Sequence, residues 1–78
     1  MKAIEQLVKG KKKKVGNHRV EQEGNIRRFI YHETAICTAD CLQKTFATDN
    51  GGWGTQSTTR AINAYRRELK AQGYKEVE

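Results

Sequence analysis

The chain has no proline, one tryptophan, one methionine and only two cysteines in 78 residues. With no proline there is no rigid, extended spacer, which fits a compact domain and not a linker. Cys37 and Cys41 allow one disulfide, and only if the intervening loop brings their Cα atoms within roughly 7 Å. A reducing cytosol argues against that bond. No apolar run approaches the roughly 18 residues of a membrane span. The N-terminus also lacks the charged-then-apolar pattern of a secretory signal. These absences predict a protein of the host cell cytoplasm with no membrane contact. Acidic residues are scarce as well, nine against fifteen lysines and arginines. The resulting charge of +6 and pI near 9.6 point to an anionic partner, either nucleic acid or a nucleoprotein complex.

Hydrophobic residues make up 36% of the chain and charged residues 31%, enough apolar material for one small sheet-and-helix core. A chain of about 60 residues buries only roughly 60% of its unfolded surface. A core this small gains from homodimerisation or from docking on a partner.

Ala3, Ile4, Leu7 and Val8 recur at helical spacing, and Gly10 is a natural stop, so residues 1–10 read as a short helix. Lys11, Lys12, Lys13 and Lys14 repel one another and predict an extended, solvated connector. Residues 1–15 therefore form a helical, basic arm, and residues 16–78 a single small domain. His18 to Glu23 alternates, Gly24-Asn25 signals a turn, and Ile26 to His32 is rich in strand formers. Glu33-Thr34 reads as a turn or bulge, Ala35 to Ala39 as a third strand ended by Asp40, and Leu42 to Thr48 as a fourth. Asp49 to Gly52 is a turn. A helix is expected from Thr59 to Gln72, with Ala61, Ile62, Tyr65 and Leu69 on one stripe. Arg60, Arg66, Arg67 and Lys70 fall away from that stripe. Ser57, Thr58 or Thr59 caps it, Thr58 foremost, while Gly73 supplies the terminating position. Tyr74 folds back over the helix end, leaving Lys75 to Glu78 as a tail. Trp53, Ile36 and Ile62 are expected in the core, and Asn63 is expected to hydrogen-bond the glycine-rich loop. There are no internal repeats.

His18, His32, Cys37 and Cys41 are the residues that resemble metal ligands. The Cys37-x3-Cys41 spacing is looser than a zinc knuckle, and no His-x3–5-His pair completes it. No metal or cofactor is expected. A cysteine–histidine nucleophilic pair has no oxyanion hole or orienting group beside it, and no carboxylates pair at diagnostic spacing. The chain is therefore not expected to be an enzyme. Gly51-Gly52-Trp53-Gly54 precedes a helix but lacks the Gly-Lys-Ser/Thr ending of a phosphate-binding loop. What remains is basic. Lys11 to Lys14 form one patch, Arg27 and Arg28 a second, and Arg60, Arg66, Arg67 and Lys70 a third on one helix flank.

The pattern His32-x-Thr34-x-Ile36, Gly52-Trp53-x-Thr55, Thr58-Thr59-Arg60 and Ile62-Asn63 resembles a small domain family of unknown function. That family is common in tailed bacteriophages, prophages and plasmid regions. Gly16-Asn17 resembles its opening, and the resemblance runs from about Gly16 to Gly73. One extra residue separates Thr55 from the Thr58-Thr59 pair. The resemblance implies a phage-type accessory protein with a β-meander and a C-terminal helix, and it carries no catalytic residue across.

The expected fold is α+β, a three- to four-stranded antiparallel meander with a C-terminal helix on one face and a short N-terminal helix. The expected function is non-enzymatic binding of nucleic acid or a nucleoprotein complex, with contacts from Lys11, Lys12, Lys13, Lys14, Arg60, Arg66, Arg67 and Lys70. The alternative is an inhibitor of a host defence nuclease complex, similar to anti-CRISPR proteins, acting by protein–protein contact.

Overall fold

The computed structural model describes residues 2–52 and 54–77. The elements are α1 (Lys2–Val8), β1 (Lys14–Val15), β2 (His18–Glu23), β3 (Ile26–Tyr31), β4 (Thr34–Asp40), β5 (Thr45–Thr48), α2 (Gln56–Ala71) and β6 (Lys75–Glu76). The strands form one sheet in the order β1-β2-β3-β4-β5-β6. The first five run antiparallel as a meander. The expected α+β fold is therefore present, with two short strands added at the sheet edges. β6 joins β5 in parallel. Lys75 N–H donates to the Lys44 carbonyl at 2.8 Å and Val77 N–H to the Phe46 carbonyl at 2.7 Å. Residues 75–77 are thus not the free tail that the sequence suggested.

Two-residue turns join the early strands at Gly16-Asn17 and Gly24-Asn25. The third turn falls at His32-Glu33, one residue before the expected Glu33-Thr34. Both residues have positive φ, 49° and 71°, as a type I′ hairpin requires. The fourth strand begins at Thr45 and not at Leu42. The Asp40 carboxylate accepts from Leu42 N–H at 2.9 Å and Gln43 N–H at 3.1 Å, which folds residues 41–44 into a turn and leaves Leu42 exposed. Local side-chain competition for backbone amides outweighs the apolar pattern there.

Both helices lie on one face of the sheet. Phe29 of β3, Cys37 and Ala39 of β4 and Phe46 of β5 meet Ala61, Ala64, Tyr65 and Leu69 of α2 in one buried cluster. The pairing of β3 with β4 shifts register between Phe29 and Ile30, making Ile36 the extra residue of a bulge. The bulge restores inward orientation, so the chain neighbours Ile36 and Cys37 are both buried. The opposite face carries two cross-strand rows, Lys14–Arg19–Ile30 and Glu21–Arg28–Thr38. Ile30 lies on that face, outside the core cluster.

The boundary expected after residue 15 needs correction. Ile4, Leu7 and Val8 are at most 2% exposed and belong to the same core cluster as α2. Arg27 closes the end of α1, its Nη1 donating to the Val8 carbonyl at 3.0 Å and Nη2 to the Leu7 carbonyl at 2.7 Å. A seven-residue helix has little stability alone, so its order comes from this packing. These two bonds fix the half-buried Arg27 guanidinium against α1, so of the expected Arg27 and Arg28 patch Arg27 has a structural role of its own.

Each helix ends in a Schellman motif. Gly10 (φ 77°) and Gly73 (φ 89°) take the left-handed position, which glycine occupies without a Cβ penalty. Gly73 N–H donates to Lys70 and Tyr74 N–H to Leu69, and Tyr74 packs back into the core as expected. α2 starts three residues before the expected Thr59. Its N-cap is Thr55, whose side chain accepts from Thr58 N–H at 3.3 Å. Thr58 is therefore not the cap. It sits one turn inside, 5% exposed, and receives the Thr55 hydroxyl at 2.9 Å. Ile36 and Ile62 are buried as expected, whereas the expected core position of Trp53 lies outside the described residues.

Candidate functional site

The basic residues separate into committed and free groups. Arg66 is held by three residues. Its Nε donates to both Glu76 carboxylate oxygens at 2.9 and 3.0 Å, Nη1 to the Asn63 side-chain oxygen at 2.7 Å, and Nη2 to the Thr48 hydroxyl at 3.4 Å. Asn63 thus serves Arg66, and among the described residues it makes no hydrogen bond to the glycine-rich loop. Lys70 stands 3.7 Å from the same Glu76 carboxylate. β6 brings Glu76 under α2, which accounts for both contacts. Lys11, Lys12, Lys13, Lys14, Arg60 and Arg67 are exposed and make no ion pair among the described residues.

These free charges do not form one patch. Lys11 to Lys13 follow the C-terminal end of α1, which packs beside α2. Arg67 and Lys70 belong to the last two turns of α2. Arg60 is ten residues from Lys70, about 15 Å along the helix. It borders a depression with His18, Tyr31 and Ser57.

That depression belongs to a second feature, which sequence reasoning missed. His18 and Tyr31, directly paired across β2 and β3, stack with ring centroids 4.5 Å apart and planes 15° from parallel. The Tyr31 ring also contacts His32, centroids 4.2 Å apart. Inward, the Tyr65 hydroxyl lies 3.3 Å from His18 Nδ1, and Tyr65 packs on Phe29 at 4.8 Å. An aromatic column therefore runs from the exposed His32 to the core. Burial, and next the nearby His32, hold the His18 pKa below its usual value. Burial pushes the Tyr65 hydroxyl upward.

Beside the column is a cavity of about 350 Å³ bordered by His32, Thr34, Ile36, Thr55 and Thr58. These are residues of the motif read in the sequence, so its scattered parts line one space. The sequence placed His32 at a strand end, Thr34 in a turn or bulge, Ile36 in the next strand and Thr58 at a helix cap; the hairpin turn and the start of α2 make them neighbours.

The four residues weighed as metal ligands are not brought together as a set. His18 and His32 share the column with Tyr31 between them, while Cys37 is in the core and Cys41 is half-buried in the β4–β5 turn. Among the described residues no group of three or more His, Cys, Asp or Glu is placed to hold a metal ion. Burial pushes the Cys37 thiol up to about 12, which leaves it protonated and non-nucleophilic at neutral pH. Among the described residues no helix is long and apolar enough to cross a membrane. No protein-family model, no curated protein and no solved structure matches the chain.

Proposed function

We propose that the protein is a phage or mobile-element accessory protein that binds nucleic acid, or a nucleoprotein complex, through its basic surface. The observation that carries this reading is that Lys11, Lys12, Lys13, Lys14, Arg60 and Arg67 are all exposed and make no ion pair among the described residues. Unpaired surface cations gain most from phosphate, because binding releases the condensed counterions of the nucleic acid. Arg66 and Lys70 take a smaller part, since they share the Glu76 carboxylate. The lysine run joins the end of α1 to β1, which contains Lys14.

A salt-titrated gel shift with generic DNA and RNA tests the reading. Binding should be strongest near about 50 mM salt and should fall with a log–log slope of about −0.9 per neutralised phosphate for duplex DNA. No binding near 50 mM salt would end the proposal.

The second reading, an inhibitor of a host defence nuclease complex, draws on the uncovered sheet face and on Leu42, which is 74% exposed. Stoichiometric co-elution with such a complex, unaffected when Arg60 and Arg67 become Gln, would favour it. An interface of at least roughly 1,000 Å² is the size to expect for a stable complex.

A further inference from the structure

Three depressions meet at the end of the sheet where the β1–β2 and β3–β4 turns adjoin the start of α2. The first is bordered by Lys14, Arg19, His32 and Glu33. The second is the cavity beside His32, Thr34 and Thr55. The third runs past Tyr31 to Ser57 and Arg60. His32 borders the first two, and Tyr31 the last two, so the aromatic column stands in the middle of one groove. The groove has a cation at each end, Lys14 and Arg60, both exposed and outside every ion pair among the described residues.

The column is filled on its inner side. Tyr31 has His18 stacked against it, and the His32 ring closes the outer end while remaining exposed. His32, exposed and tilted 56° against Tyr31, is therefore the ring of the column that a base can reach. Successive bases of a single strand stack on such platforms, whereas a duplex keeps its base faces hidden. Cations on both flanks suit a phosphate backbone passing across the ring.

We propose that this groove binds single-stranded nucleic acid, with one base stacked on His32 and neighbouring phosphates at Lys14 and Arg60. The inference rests on nucleic acid being the anionic partner and adds which form is bound and where. Glu33 marks the groove's built-in opposition. It sits in the first depression and holds Arg19 at 3.4 Å, while Glu21 pairs with the same guanidinium at 3.5 Å. A phosphate entering there displaces Glu33, and Arg19 becomes a third contact.

Fluorescence anisotropy with the full chain tests this, using labelled oligothymidylate and oligouridylate of about 12 nucleotides, within the range of small single-strand sites, and a duplex of equal length. At about 50 mM salt the single strands should bind more tightly than the duplex. His32→Asn keeps a residue suited to the positive φ of the turn and removes the ring. It should weaken single-strand binding about tenfold without changing the salt slope. His32→Trp should restore it, and Glu33→Gln should tighten binding. The DNA and RNA arms decide which strand is preferred. If His32→Asn leaves single-strand affinity unchanged while joint Lys11→Gln, Lys12→Gln and Lys13→Gln substitution weakens it, this inference falls and the basic-surface reading stands. If neither strand nor duplex binds, both fall.

Discussion

Thr55 and His18 show how single side chains set local structure in this protein. Thr55 offers its hydroxyl to the first turn of α2, so Thr55→Ala should cost about 1 kcal/mol in urea-denaturation experiments. The neighbouring Ser57→Ala should be close to neutral, because Ser57 is exposed and does not cap. His18 makes stability pH-dependent. Its folded pKa lies below the ordinary value of 6.5 because burial disfavours the cation. Below about pH 6.5 the unfolded chain therefore takes up a proton that the folded chain resists. The contribution is complete above that pH and is lost as pH falls toward the lower folded value. Melting temperatures measured from pH 8 to 5 should drop through this window, and His18→Gln should flatten that part of the curve. An unchanged profile in the variant would remove His18 as the cause.

At the scale of elements, α1 is the informative case. Its periodicity was readable from Ile4, Leu7 and Val8, but its destination was not. A lysine run after Gly10 looked like a boundary between arm and domain. The structure instead turns the chain back, so that α1 shares a core with α2 and Arg27 caps it. Leu7, fully buried, should therefore behave as a central core residue. Leu7→Ala should lower unfolding free energy by about 2–5 kcal/mol, measured by chemical denaturation. A loss below about 0.5 kcal/mol, the usual range for surface sites, would return α1 to the status of an arm. Arg27→Ala should weaken the same helix, since two carbonyl acceptors lose their donor.

For the whole molecule, the relevant balance is between charge used to hold the fold and charge left for a partner. Glu76 reaches Arg66 and Lys70 only because β6 adds to the sheet edge. Glu76→Gln should therefore raise low-salt affinity for nucleic acid and steepen the salt slope by freeing two cations, at a small cost in stability. These pairs are partly exposed, which limits that cost to about 1 kcal/mol or less. Gel shifts at several salt concentrations, run beside denaturation curves, check both halves. The meander, the α2 stripe and the glycine stop at Gly73 were legible because strand alternation, helical period and left-handed caps are local rules. Thr45 as the start of β5, the Ile36 bulge and β6 were not, because each depends on a partner strand or a side-chain acceptor. The same division runs through the candidate site. The free cations Lys11 to Lys14, Arg60 and Arg67 follow from helical phase and like-charge repulsion along the chain. Which arginines are spent internally, and the meeting of His18, Tyr31 and His32 in one column, arise from cross-strand register and helix docking. Such contacts join residues far apart in sequence, where no local periodicity records them.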